Sequence, residues 1–503
     1  MHAAILELLF SLVQVQKFLY NNTILSLIFQ TIPGDSMKRY PIRFTLLLSL
    51  LLCLCSCDKP GEPVTPPPPA AVKTPLKVAI DPVSYELSTG ALATWRDFAA
   101  YKPALVLFSS HPMLNPIEEE TIPAVRTLIL NGEGSEIIQR GRLWSADPAF
   151  LAPQTVSAAI ATGLISELII VRPDKKTPEE FSLDNFRQQF TAAGFLTQRE
   201  AQSLTLTEGG VVNGKIRGIP LRVVHPDRLP KLSKPVLLHI DLGYFKDLYI
   251  NEIKTPTYDL IHNLAIQIKD ATFPALATTV SFSNQESGYS LESRFMIRDL
   301  AELLRNPKLL EDGTPASWAL RASALYASTM FSESQARALT QQAVAATPED
   351  AAAHYALALD LFEEKLNEQA FIALSQATKL DHGYALEYIL LAERGFELGQ
   401  YSKALDLLHS AVAALPNSPI LRLQLAKQLI NAGRGSEALP IITELKSLKW
   451  SEKFHPGALS LLGEMEQIAT ANTIPRLPDA SPQSQRTPGG MPGFNHGMAI
   501  PGQ

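Results

Sequence analysis

The chain has 503 residues, a net charge of −6 from 44 basic and 50 acidic side chains, and only 19% charged residues. With no excess of Lys and Arg to neutralise phosphates, a broadly basic nucleic-acid binder is excluded. The three cysteines, Cys53, Cys55 and Cys57, cluster near the N-terminus, which excludes a disulfide framework, a cysteine zinc site and a catalytic thiol from the rest of the chain.

Residues 37–57 read as a leader. Lys38, Arg39 and Arg43 form a positive start, and Phe44 to Leu54 is an apolar run too short to span a bilayer comfortably as a helix. Its end, Leu54-Cys55-Ser56-Cys57, resembles a bacterial lipobox. The resemblance implies cleavage before Cys57 and a diacylglycerol on its sulfur. It also implies a protein of the bacterial cell envelope, lipid-anchored to a membrane and facing the periplasm or the outside. Asp58 after the lipidated cysteine would favour inner-membrane retention under the enterobacterial sorting rule. An uncleaved membrane helix is the competing reading. Residues 1–36 are apolar but carry Glu7, Lys17, Asn21 and Asn22, and they displace the leader from the N-terminus. The simplest account is a mis-assigned start with Met37 the true beginning; a further membrane segment at 3–30 is the rival. Prolines crowd residues 58–75, including Pro66 to Pro69, which favours an extended, semi-rigid tether. The tail, 472–503, is rich in Pro and Gly without apolar periodicity and is expected to be disordered.

Residues 76–310 alternate short apolar runs with helical stretches. Strands are expected at 76–80, 104–108, 167–172, 221–224, 235–240 and 276–282. Helical stretches are expected at 91–101, 149–163, 181–201, 256–268 and 290–305. This alternation predicts an α/β domain with a largely parallel sheet, whose ligands would sit at the carboxyl ends of the strands.

Three segments add a family resemblance. Phe150 to Asp174 (FLAPQTVSAAIATGLISELIIVRPD), Pro235 to Phe245 (PVLLHIDLGYF) and Ala277 to Tyr289 (ATTVSFSNQESGY) are similar in order and spacing to bacterial peptide arginases of the arginase/deacetylase superfamily. That family uses two manganese ions to turn a bridging water into hydroxide. The ligands it requires are mostly missing here. Its Asp-x-Asp falls on Asp241-Leu242-Gly243, and its Asp-x-His-x-Asp on Ser109-Ser110-His111-Pro112-Met113. Three remnants survive: His111, His239 and Asp241. His239 and Asp241 are two apart and so share a strand face. Three readings stay open: an inactive relic with its polar residues hydrogen-bonded in the pocket, a single-metal site of two histidines and one carboxylate, or no relation to the family. Asp81 is a speculative fourth member. No catalytic residue and no cofactor are expected; manganese or zinc enters only if the domain is an active metal-dependent hydrolase acting on a peptide or protein. No P-loop, Gly-x-Gly-x-x-Gly after a strand, His-Glu-x-x-His or Gly-x-Ser-x-Gly occurs.

The C-terminal part carries an internal repeat of 34 residues: Ala336, Ala370, Ala404 and Ala438, and again Ala324, Ala358, Ala392 and Ala426. Leu357, Leu391 and Leu425 repeat likewise, as do Gly399 and Gly433. These positions resemble the tetratricopeptide repeat, a helix-turn-helix unit. The small residues let paired helices approach, and Pro348 and Pro416 close the second helix of their repeats. Four repeats are expected over about 317–450, the first the poorest match because of Ser323 and Thr340. A capping helix at about 457–470 completes a solenoid over 317–471. The family usually binds peptides or partner proteins on its concave face. By repeat position that face carries Tyr355, Leu359, Phe362, Leu386, Ile389, Glu393, Phe396, Leu423, Lys427 and Ile430. It is apolar with few cations, so an amphipathic helix or apolar segment is the expected ligand; the competing reading has this face packed on the α/β domain or the tail. The expected function is protein binding or scaffolding at a membrane, with an inactive arginase-like domain; the alternative is an active hydrolase with a recruiting arm. If Met37 is the start, Gly34-Asp35 is expected to be encoded GGAGAY, a ribosome-binding core; sequencing the DNA checks this, and other codons there remove the support.

Overall fold

The computed structural model describes residues 81–173, 181–207, 209–271, 273–282 and 290–472. All belong to the second of two compact units, Thr65–Gln503. The readings of the leader, Cys57, the tether, the strand at 76–80 and the tail therefore lie outside the described residues. No described helix is long and apolar enough to cross a membrane.

Eight strands form one sheet: β1 (Pro82–Tyr85), β2 (Ala104–Phe108), β3 (Glu167–Val171), β4 (Thr205–Leu206), β5 (Val212–Ile216), β6 (Ile219–Val224), β7 (Val236–Asp241) and β8 (Ala275–Ser281). Their order is β1-β8-β7-β2-β3-β6-β5-β4. The six strands from β1 to β6 along this order run parallel; β5 and β4 add an antiparallel edge. Every residue of β2, β3 and β7 is buried. Parallel strands covered on both faces need such continuous apolar runs, which is why the sequence reveals them. The β4–β5 edge escapes that reading because Val212–Ile216 is VNGKI, buried only at its ends. The first described strand begins at Pro82, which an edge position tolerates because its missing N–H faces no neighbour.

Helices α1 (Ala91–Trp95), α2 (Ile122–Asn131), α3 (Gly134–Arg140), α4 (Thr155–Thr162), α5 (Leu183–Ala192), α6 (Gln198–Ser203), α7 (Gly243–Leu248), α8 (Thr257–Ala271) and α9 (Phe295–Arg305) belong to this domain. The expected stretch 181–201 is two helices: Thr197 opens α6 with a capping box to Glu200, which breaks the run.

Four helical hairpins follow. They are α10 (Ala316–Thr329) with α11 (Glu333–Ala346), α12 (Ala351–Glu363) with α13 (Asn367–Leu380), α14 (Leu386–Glu397) with α15 (Tyr401–Ala414), and α16 (Pro419–Asn431) with α17 (Gly435–Lys446). A final helix, α18 (Ala458–Asn472), packs on the last pair. The alanine series are buried at Ala336, Ala370, Ala404 and Ala438 and at Ala358, Ala392 and Ala426. Ala324 is only half-buried, in keeping with the weak first repeat. Thr340, polar at an apolar position there, is accommodated by donating to the Ala336 carbonyl at 3.1 Å.

The solenoid is joined to the sheet domain by buried charge. Asp299 of α9 is fully buried and accepts from Tyr258 of α8 at 2.7 Å and from Arg321 of α10 at 2.6 Å. Arg321 also bonds Asp350, the N-cap of α12, and Arg298 of α9 reaches the same carboxylate at 2.7 Å. Burial pushes the Asp350 carboxyl up, but Arg321 and Arg298 pull harder and hold it below its usual range. Beside this network, Arg294 bonds Glu86 at 2.8 Å and Asp381 at 2.7 Å, and its guanidinium occupies the space a side chain at Gly383 would fill. At the far end, Ser451 N–H donates to the Ala146 carbonyl at 2.9 Å, His455 Nε2 to the Ser145 carbonyl at 2.7 Å, and Lys453 pairs with Glu118 at 2.6 Å. Glu86 follows β1, Arg294 follows β8 and Glu118 follows β2. Both ends of the solenoid are thus fastened to segments leaving the carboxyl edge of the sheet.

Removing Arg321 leaves two buried carboxylates with the half-exposed Arg298 as their one remaining shared cation. Arg321→Met is expected to cost about 3–5 kcal/mol, read as a lower denaturant midpoint; a change under about 1 kcal/mol would contradict the network's role.

Candidate functional site

The carboxyl edge of a parallel sheet is where strand ends converge and helix starts leave backbone groups free, so polar side chains there can meet a ligand. His239 and Asp241 of β7 lie there on one strand face, as their spacing requires, and both are buried. Their neighbours come from β8. His239 Nδ1 and Thr279 Oγ1 are 2.8 Å apart, and His239 Nε2 and Ser281 Oγ are 3.2 Å apart. Ser281 donates to Asp241 Oδ2 at 2.7 Å, while Asp241 Oδ1 accepts the Gly243 N–H at 2.9 Å. Trp95 Nε1 donates to Thr279 Oγ1 at 3.1 Å, and the indole sits edge-on to the imidazole at 5.4 Å.

These bonds fix a direction. Ser281 spends its proton on the carboxylate, so it accepts from His239 Nε2–H. Nδ1 is then the acceptor, filled by the Thr279 hydroxyl, which itself receives the Trp95 N–H. The chain runs Trp95, Thr279, His239, Ser281, Asp241 with each proton assigned. Burial, opposed only weakly by Thr279, lowers the His239 pKa to about 3, so the ring is neutral at pH 7.

The third remnant is not part of this chain. His111 is exposed beyond the end of β2, with Nδ1 3.0 Å from Ser110 Oγ. Asp81 is exposed and pairs with Arg305 at 3.0 Å. A divalent ion needs lone pairs directed at one point. Both His239 nitrogens and both Asp241 oxygens are already hydrogen-bonded, and no group of three possible ligands is found among the described residues. The donor set does not fit a metal ion.

The second candidate surface is the concave side of the solenoid. Positions three repeats deep fall in register: Tyr355, Ile389 and Leu423; Leu359, Glu393 and Lys427; Phe362, Phe396 and Ile430. The structure does not leave this face open throughout. Tyr355, Phe362, Ile389 and Ile430 are buried, within one apolar core that also takes in Phe282, Leu291 and Phe295 of the sheet domain. Tyr355 stacks on Tyr384 at 4.6 Å and donates to Glu387 at 2.7 Å. The expected contact role of Tyr355, Phe362 and Ile389 is therefore corrected: they pack the protein's own interior. Accessible area is kept by Leu359, Phe396 and Lys427, which are half-buried, and by Glu393, which is exposed. Desolvation lowers the Lys427 pKa, and no ion pair to it is found among the described residues.

The junction residues Arg294, Arg298, Arg321, Asp299, Asp350 and Asp381 were not foreseen. Their one sequence signal is the Arg294–Arg298 spacing of four at the start of an amphipathic helix, with Arg294 at the N-cap of α9 and Arg298 in its first turn.

Sheet and hairpins together define an α/β domain fused to a helical-repeat solenoid. Residues 396–447, from the third hairpin into the fourth, match the tetratricopeptide repeat family. No curated protein matches the chain.

A neutral His239 in the fold and a titrating one in the unfolded chain have a thermodynamic consequence. From 6.5 down to about 3 the unfolded state takes up a proton that the folded state refuses. Stability therefore falls as pH drops through this range, by about 3 kcal/mol at pH 4 from this group. Denaturation of wild type and His239→Gln between pH 7 and 4 should show a shallower slope in the variant; equal slopes would refute the assignment.

Proposed function

We propose that this protein is a bacterial envelope lipoprotein that binds protein partners through its tetratricopeptide solenoid. The single observation carrying the binding part is the repeat-family match at 396–447 within four successive hairpins. Such repeats present extended surfaces to peptides and proteins. The anchoring part rests on the sequence around Cys57: the positive start, the short apolar run and the lipobox-like end. The proline-rich segment after it would hold the folded body off the membrane.

The sheet domain serves in this reading as a base for the solenoid rather than as a catalyst. What supports this is the saturation of His239 and Asp241 by protein hydrogen bonds and the fastening of the solenoid at both ends. On the concave side, Leu359, Glu393, Phe396 and Lys427 are the residues left to touch a partner.

Two measurements test this. Cys57→Ser should abolish incorporation of labelled fatty acid and move the protein from the membrane to the soluble fraction; a labelled, membrane-bound variant would sink the anchor. Partners co-purified from membranes by the full chain should be lost with Phe396→Ser combined with Lys427→Gln, with the denaturation midpoint kept; an unchanged partner set would place binding away from the concave side.

A further inference from the structure

The repeat has a second feature besides its alanines. Phe331, Lys365, Gly399 and Gly433, each 34 residues apart, all adopt left-handed backbone, with φ of 57, 65, 72 and 75°. Each turns the first helix of a hairpin into the second. Glycine takes this conformation freely, but a residue with a Cβ is held there at a cost of about 1–2 kcal/mol. The third and fourth turns have the relaxed residue. The first has a phenylalanine, and its ring is 90% exposed. The cost of this backbone is not offset by burial of the side chain, so Phe331 is the first residue to consider for contact with a partner.

Phe331 does not stand alone. Met330 beside it, Leu366 in the second turn, and Leu398 and Tyr401 around the third are exposed by 42, 42, 43 and 61%. Repeat geometry places these turns on one edge of the solenoid, so the five make an apolar row along three hairpins. The row ends at the fourth turn, where Arg434 and Glu437 pair at 2.6 Å. Carboxylates flank it. Glu333, Glu363 and Glu368 are exposed, and no cation pairs with them among the described residues. Burial, with the fields of Glu363 and Glu333 behind it, raises the nearby Asp360 to about 6 against the pull of Thr340 and Arg337.

We propose that this turn edge docks a basic amphipathic helix of a partner protein, its apolar face on Phe331, Leu366, Leu398 and Tyr401 and its cations against Glu333, Glu363 and Glu368. Charge selects this occupant. Anionic lipid headgroups would be repelled by the same carboxylates, and a second copy would bring its own acidic edge on a chain of net charge −6. The proposal rests on the protein-binding reading and adds the turn edge to the concave side as a second contact surface.

The test uses the full chain carrying Cys57→Ser, and a fluorescent Lys/Leu amphipathic helical peptide as probe. Anisotropy should show saturable binding, absent with a Glu/Leu peptide of the same pattern. Phe331→Gly removes the ring and relaxes the turn, so it should weaken binding by about tenfold or more while the melting temperature holds or rises. Glu363→Gln with Glu368→Gln should weaken it too. Leu390→Ser, at an exposed apolar residue in the middle of α14, should bind normally; equal loss there would overturn the proposal by showing that the peptide is held by general apolar contact. Undiminished binding by Phe331→Gly, or equal binding of the Glu/Leu peptide, overturns the proposal. So does self-association, or pelleting with phosphatidylglycerol vesicles, that Phe331→Gly abolishes, since either gives the edge a different occupant.

Discussion

The structure depends on one buried ionic junction. Two aspartates, Asp299 and Asp350, meet two arginines, the buried Arg321 and the more exposed Arg298, between the sheet domain and the solenoid. Neither aspartate has solvent to fall back on: the arginines hold Asp350 below its usual range, while at Asp299 burial outweighs their pull and raises the carboxyl. Asp350 does two tasks at once: it accepts the Ala352 N–H at 3.0 Å as the cap of α12 and binds both arginines. The start of the second hairpin is thus set by the sheet domain, and every later hairpin inherits its direction from the one before. The hydroxyl of Tyr258, whose ring stacks on Trp318 at 5.6 Å, closes the network from the side of α8. Ionic specificity and aromatic packing act on the same few residues.

That junction also decides what the two candidate surfaces can do. With Arg321 and Arg298 fastening the first two hairpins, Arg294 the middle, and Lys453, His455 and Ser451 the far end, residues of the concave side share one core with Phe282, Leu291 and Phe295 of the sheet domain. Tyr355 and Phe362 of that side become core, and the polar chain from Trp95 to Asp241 becomes interior. A histidine and an aspartate that would make ligands in an open cleft instead satisfy each other through Ser281. Each buried polar atom in that chain has a partner, which is the condition under which such a network rigidifies rather than destabilises. The turn edge, by contrast, keeps Met330, Phe331, Leu366, Leu398 and Tyr401 exposed.

Much of the architecture was legible in the chain. Strands β2, β3 and β7 announce themselves as apolar runs because both faces are covered. The hairpins announce themselves through alanines, since only a small side chain permits close helix approach at those positions. The β4–β5 edge was not legible, because a strand with one solvated side and a central Gly-Lys pair carries no apolar run. The site was legible in part. The spacing of two between His239 and Asp241 correctly put them on one face, but nothing in it distinguishes a ligand pair from a hydrogen-bonded pair. His111 was placed with them through the resemblance to the Asp-x-His-x-Asp motif, and it lies exposed beyond β2.

By itself the sequence determined local matters: which residues are apolar, how they recur, and where glycine relaxes a turn. Periodicity is written along the chain, so the parallel sheet, the helical hairpins and their small-residue contacts follow from it. Tertiary structure alone decided which surfaces face each other. Arg294 and Asp381 are 87 positions apart, and Arg298 and Asp350 are 52 apart, so no local pattern links them. Tyr355, Phe362 and Ile389 of an expected binding face became core, while Phe331 and its neighbours at the turns stayed exposed. Burial is a property of the assembled fold, and the same tyrosine or phenylalanine is contact or core according to what is packed against it.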